Sequence, residues 1–193
     1  MNTKTLMTAL VATIASAADQ CHYPSPAAGF TKEAYSGLWY EIAKFQTAGG
    51  AIFEGDCVCT ELNVFTEKTT YKVDNICRQK TPDGKQTNAV ATLKPTDTEG
   101  HFLESFSAFA PSVNYTIIEL GEYNGEHYSV EYDCSSNFTG TNYCVHFMSR
   151  EPTMSDELLQ ILISRVNKLE LNSFNLPLQI TKQEGCWSNE FLQ

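Results

Sequence analysis

The stretch Phe30-Thr31-Lys32-Glu33-Ala34-Tyr35-Ser36-Gly37-Leu38-Trp39-Tyr40-Glu41-Ile42-Ala43 starts the regular part of this chain. After Gly37 the β-forming run Leu38–Phe45 predicts a first strand. Seven similar runs follow at regular spacing: Cys57–Phe65, Thr70–Arg78, Asn88–Lys94, His101–Ala108, Tyr115–Leu120, His127–Tyr132 and Tyr143–Ser149. The breaks between them have turn chemistry, as in Thr66-Glu67-Lys68-Thr69, Pro82-Asp83-Gly84-Lys85 and Asp97-Thr98-Glu99-Gly100. Eight short strands with such breaks predict an all-β sandwich or barrel. An eight-stranded antiparallel up-and-down barrel leaves no sheet edge, and its interior is wide enough for side chains or one small ligand.

One helix is expected after the strands, over about residues 155–170. Pro152-Thr153-Met154-Ser155 supplies cap candidates, and Asp156 and Glu157 suit the positive end of the helix dipole. Leu158, Leu159, Leu162, Val166 and Leu169 form a stripe at helical spacing, which reads as a face packed on the sheet. Pro177 ends regular structure, and a tail runs on to Cys186.

The first eighteen residues have the pattern of a secretory signal. Lys4 precedes an apolar run from Leu6 to Ile14, followed by Ala15-Ser16-Ala17. The run is about half the ~20 residues that a membrane-spanning helix needs. Residues 19–193 are therefore expected to form one domain, secreted and without a membrane-spanning segment, with the barrel over about 37–150. Thirteen basic residues against 23 acidic ones give a net charge of −10, which argues against nucleic acid as a partner. Seven cysteines fit an oxidising compartment. Asn114-Tyr115-Thr116 and Asn137-Phe138-Thr139 are N-glycosylation acceptors.

Two motifs carry a family resemblance. The segment quoted first resembles the initial conserved region of lipocalins, with Gly37 and Trp39 as its Gly-x-Trp signature. Phe147-Met148-Ser149-Arg150-Glu151-Pro152 resembles the third region, where an Arg closes the last barrel strand. The second region is degraded: Gly121-Glu122-Tyr123-Asn124-Gly125-Glu126-His127-Tyr128 lacks the usual Thr-Asp pair, and a longer turn is expected there. Within the family, Phe106–Tyr115 and Gln183-Glu184-Gly185-Cys186 resemble the apolipoprotein D, Lazarillo and bacterial-lipocalin branch. The resemblance implies a calyx with Trp39 in its floor and Arg150 stacked over the indole, a stack that is favourable in itself.

The resemblance also implies the disulfides Cys57–Cys186 and Cys21–Cys134. Cys59 and Cys77 are equidistant from Lys68, so a third bond between them is expected across the hairpin, leaving Cys144 free. A rival arrangement pairs Cys134 with Cys144 across the last hairpin and frees Cys21.

The reading is a secreted carrier of one small hydrophobic ligand, such as a fatty acid, sterol or retinoid-like molecule, with no enzymatic activity and no cofactor. Alternation along the strands suggests Phe45, Phe53, Val73, Phe102, Phe106, Tyr115, Ile117, His146 and Phe147 as lining. A lipocalin enzyme would need Cys59 or Cys144 as a thiolate nucleophile, and no neighbour that would lower its pKa is evident. A haem or tetrapyrrole binder would use His101 or His146. No pair of histidines has metal-ligand spacing, so no metal site is expected. A weak homodimer is compatible with the sequence.

Overall fold

A computed structural model of the chain describes residues 21–51, 54–137 and 140–186. The proposed signal segment and Phe53 lie outside the described residues. Eight strands form a closed antiparallel barrel: β1 (Gly37–Gln46), β2 (Cys57–Glu67), β3 (Thr70–Gln79), β4 (Gln86–Pro95), β5 (His101–Ser105), β6 (Val113–Tyr123), β7 (Glu126–Asn137) and β8 (Gly140–Ser149). Consecutive strands pair from β2 to β8, and β1 closes the ring against both β8 and β2. A one-turn helix α1 (Lys32–Tyr35) precedes the barrel. Helix α2 (Asp156–Lys168) follows it, and β9 (Gln179–Ile180) adds to β1.

The strands match the sequence expectation closely, with instructive differences at their ends. β5 stops at Ser105 and does not reach Ala108. Ser107 accepts hydrogen bonds from the amides of Phe109 and Ala110, so local side-chain bonding replaces the ladder there. The β6–β7 turn is short, not long. Asn124 and Gly125 both have positive φ, 51° and 86°, as a two-residue hairpin turn requires.

Helix α2 is capped by Ser155, whose side chain accepts from the Leu158 amide. Leu158, Leu159, Leu162 and Val166 are buried, whereas Leu169 sits at the C-cap and is exposed. The buried stripe packs on the outer face of the barrel, against Phe45, Val130, Tyr132, Val145 and Phe147. A second apolar cluster fills the lower interior, with Trp39, Leu62, Val73, Leu93, Phe102, Ile117 and Met148 at its centre. The barrel wall therefore separates two cores.

The disulfides differ from expectation in one exchange. Cys21 and Cys134 are joined, but Cys57 pairs with Cys77 and Cys59 with Cys186. The expected bonds Cys57–Cys186 and Cys59–Cys77 are both corrected, and the reason is a β-bulge. The β2–β3 register shifts between Val58, opposite Arg78, and Glu61, opposite Ile76. Cys59 lies inside the bulge with φ 55° and donates its amide to the Lys182 carbonyl at 2.8 Å. The bulge thus turns Cys59 off the ladder and towards the tail, while Cys57 remains beside Cys77. Cys144 is free and buried, so the Cys134–Cys144 alternative is also set aside.

Candidate functional site

The barrel is sealed at one end. Arg150 lies over the Trp39 ring, with its guanidinium carbon 3.6 Å from the ring centroid. Its Nη1 donates to the Leu38 carbonyl at 2.6 Å, and its Nη2 donates to the carbonyls of Ala34 and Ser36 at 2.7 and 2.8 Å. Trp39 Nε1 donates to the Tyr35 carbonyl at 2.7 Å. Gly37 has φ 101°, and a Cβ there would stand 3.3 Å from Arg150 Nη1. Glycine is thus required for backbone conformation and for space. These residues close the floor.

Above the apolar plug the interior becomes polar. Glu41, Glu54, Glu104, Glu131 and Asp133 are buried there, with Lys44 and His146 as the cations among them. Lys44 Nζ lies 3.2 Å from Glu41 Oε1 and 3.3 Å from Glu54 Oε2. His146 lies between two acids, with Nδ1 2.6 Å from Glu41 Oε2 and Nε2 3.4 Å from Asp133 Oδ2. Glu131 accepts from the Tyr115 hydroxyl and, at 3.0 Å, from Ser129 Oγ. Among the described residues Glu104 makes neither a hydrogen bond nor an ion pair, although its side chain is on the cavity wall.

The electrostatics follow from these partners. Burial disfavours the Glu41 carboxylate, but Lys44 and His146 outweigh it and hold the group at about 2. Burial also opposes charge on His146. The Cys144 sulfur, Asp133 and Glu41 around it overcome that effect and keep the imidazole protonated well above its ordinary range. Glu104 shifts the other way: burial, then the charge of Asp133, raise it well above the usual carboxylate range, with Glu54 and Glu131 adding to the shift. Burial pushes the Cys144 thiol up to about 12. That is the reverse of the environment a thiolate nucleophile needs.

The cavity of about 170 Å³ is lined by Glu54, Leu62, Asn75, Glu104, Phe106, Val113, Tyr115, Asp133 and His146, among others. A second cavity of about 280 Å³ shares Glu54 and Asn75 with it and extends along β3 and β4. Of the residues suggested from sequence, Phe106, Tyr115 and His146 line the first cavity, while Val73, Phe102 and Ile117 lie in the plug beneath it. Phe45 and Phe147 do not line it. They meet edge-to-face at 5.7 Å on the α2 side of the wall.

A bulge at Ile42 explains the reversal of Phe45. Glu41 pairs with Met148 and Ala43 with Phe147, so one extra residue turns Lys44 inward and Phe45 outward. Phe147 follows from alternation, because His146 beside it points in. His101 neighbours the inward Phe102 and so takes the outer face of β5, away from the cavity. The acids on β5 and β7 escaped the sequence reading. Ser129, Glu131 and Asp133 occupy alternate positions facing Val130 and Tyr132 across the strand. That pattern looks like an outer polar face, but here the apolar face serves α2.

Two groups of ligand-type side chains come close together. Asp133, Cys144 and His146 form one and Glu41, Glu54 and His146 the other, each with its ligating atoms within 4.8 Å of one another.

Comparison with known proteins agrees with the geometry. Residues 36–176 match the family model described as the Lipocalin / cytosolic fatty-acid binding protein family. Among solved structures, insecticyanin from the tobacco hornworm Manduca sexta superposes with a TM-score of 0.64 at 15% identity, covering 84% of this chain and 86% of that one. Lobster apocrustacyanin A1 gives 0.59 at 14% identity, over 78% and 79% of the two chains. Apocrustacyanin C2 gives 0.60 at 15% identity, over 79% of each. No curated protein matches the sequence. At these identities the structures speak for the fold alone. The family match spans most of the chain and agrees with the closed floor, the calyx and the Trp39–Arg150 stack: this chain belongs to the lipocalin family.

Proposed function

We propose that this protein is a secreted carrier of one small, largely apolar organic molecule, bound singly in the calyx without chemical conversion. The observation that carries this reading is the barrel's asymmetry. One end is sealed by Trp39 and Arg150, and above the plug lies a cavity walled in part by Leu62, Phe106, Val113 and Tyr115. Pockets of this kind bind through apolar walls and orient the ligand through a few polar groups. Pockets for drug-sized ligands measure roughly 300–1,000 Å³, and the two adjoining spaces of about 170 and 280 Å³ together reach the lower part of that range, which suits one small ligand. The three disulfides support an extracellular location. The Cys21–Cys134 bond and the segment Phe106–Tyr115 support a place near the apolipoprotein D and Lazarillo branch. Asn114, half-buried on β6, and Asn137, exposed at the end of β7, are the sites where glycans are expected.

The test is mass spectrometry of the organic extract from protein purified natively from its own culture medium, paired with titration of the emptied protein by a fluorescent fatty-acid probe. One extracted species per chain, or saturable probe binding that an apolar competitor displaces, is the expected result. An empty extract together with no saturable binding by any apolar probe sinks the carrier reading.

A further inference from the structure

We infer that the calyx selects an organic cation, an ammonium group on a compact apolar or aromatic body, with Glu104 as its anchoring carboxylate. The inference rests on the carrier reading above and names the ligand class. Five carboxyls are buried in the upper barrel, against Lys44 and His146. The acids already served can be named: Lys44 bridges Glu41 and Glu54, His146 bridges Glu41 and Asp133, and Glu131 takes the hydroxyls of Tyr115 and Ser129. Glu104 alone of the five has no donor among the described residues. It is 9% exposed and stands on the cavity wall. A buried carboxyl with no partner is costly, and a donor entering the cavity removes that cost.

The surroundings specify the donor. Asp133 and Glu54 line the same cavity and add negative potential, while Phe106 and Tyr115 supply aromatic surface on which a cation and its apolar body can rest. An ammonium brings three N–H donors, enough for Glu104 and one neighbour. Thr60 Oγ1, buried and without a hydrogen-bond partner among the described residues, adds an acceptor in the adjoining space. A divalent metal fits less well. The space between Glu41 and Glu54 is already held by an ammonium, that of Lys44, and a hard cation needs several oxygen ligands where Glu104 offers one free carboxyl. An anionic ligand such as a fatty-acid carboxylate would meet three acids at the wall.

The test is calorimetric titration of the full disulfide-bonded protein at neutral pH with 2-phenylethylamine, 2-phenylethanol, 3-phenylpropionate, decanoate and zinc chloride. The amine is expected to saturate at one per chain and to bind about tenfold or more tightly than the isosteric alcohol, with no binding of the phenylpropionate. Glu104→Gln should cost the amine at least about tenfold and leave the alcohol within about twofold. The alcohol equalling the amine overturns the inference, and so does undiminished amine binding by Glu104→Gln. Zinc or decanoate saturating in place of the amine overturns it too. Decanoate or the alcohol binding alone leaves the carrier reading standing, whereas no saturation by any organic probe removes both. The amine-to-alcohol comparison needs no variant, so a poorly folding Glu104→Gln cannot rescue the idea.

Discussion

Arg150 gives the most direct test of how the barrel is closed. Its guanidinium makes three hydrogen bonds, to the carbonyls of Leu38, Ala34 and Ser36, and covers the Trp39 ring. All three acceptors precede or open β1, so one side chain at the end of β8 ties the entry segment to the last strand. A hydrogen bond to a charged donor contributes about 1.5–3 kcal/mol when buried. Arg150 is half-exposed, so roughly 0.5–1 kcal/mol for each bond is appropriate. The stack on the indole contributes about 0.5–1 kcal/mol. Together Arg150→Ala should cost about 3 kcal/mol, within the range where lost partners leave backbone carbonyls unsatisfied. For a domain of this size that is about 6–12 °C in Tm.

Arg150→Lys keeps the charge but loses the planar fork and the stack, so it should recover less than half of the loss. The assay is thermal and urea unfolding followed by far-UV circular dichroism. Trp39 emission should be read in a Trp187→Phe background, because the chain has two tryptophans. Losing the guanidinium cover exposes the indole face, and its emission should shift to the red. A loss below about 1 kcal/mol, or full recovery by Lys, refutes the argument that a forked clamp holds the floor.

Other outcomes follow from the same contacts. Ellman's reagent should find no reactive thiol in the native protein and one per chain after denaturation without reductant, because Cys144 is buried and free; a second thiol would contradict the three bonds. Non-reduced peptide mapping should recover Cys57 linked to Cys77 and Cys59 linked to Cys186, and fragments joining Cys57 to Cys186 would show that the bulge argument is wrong. Burial and the charge of Asp133 raise Glu104 well above the usual carboxylate range in the empty fold, and a bound cation would draw it back down. As pH rises from about 4.5, the unfolded chain loses this proton first, so the empty protein loses stability towards the folded pKa. Glu104→Gln should therefore melt like the parent at about pH 4 and about 1–2 kcal/mol more stable at neutral pH; a gap that does not widen with pH would show that Glu104 is not the strained acid. Glu41 carries the opposite sign. Held at about 2, it contributes stability above about pH 4.5 that disappears as pH falls towards 2, and Glu41→Gln should erase that acid limb.

The strands were legible because each had its own local signal of β-formers between turn residues. Helix α2 was legible for the same reason, and its cap at Ser155 lies where the polar run pointed. The floor was legible through two short motifs, Gly37–Trp39 and Arg150. The faces were not. Alternation fixes which residues share a side only until a bulge intervenes, and a bulge depends on pairing between strands that one strand's sequence does not reveal. That is why simple alternation puts Phe45 inward and symmetry about Lys68 sets Cys59 opposite Cys77. The acid cluster was hidden for another reason. Glu41, Glu54, Glu104 and Glu131 come from separate parts of the chain, and each alone reads as an ordinary polar strand or loop position. Their meeting is a property of barrel closure.

The bulge at Ile42 ties these results together. Without the extra residue, Lys44 would take the outer face and Glu41 would enter the barrel opposite Glu54 with no ammonium between them. With it, Lys44 and Glu41 both point inward, and Lys44 pairs across the strand with His146. The bulged residue also frees its carbonyl, which accepts from the Thr181 amide at 2.9 Å and so seats β9 on β1. Seated there, the tail brings Thr181 Oγ1 to Glu41, places Gln183 Nε2 on the carbonyls of Glu41 and Thr60, and carries Cys186 to Cys59. The Cys59–Cys186 bond thus secures more than a loose end. It holds the segment whose Thr181 hydroxyl donates to Glu41, the acid on which Lys44 and His146 converge. Reducing that bond should loosen the upper calyx while leaving the Trp39–Arg150 floor intact, because among the described residues the floor bonds run from Arg150 to Ala34, Ser36 and Leu38 and from Trp39 to Tyr35.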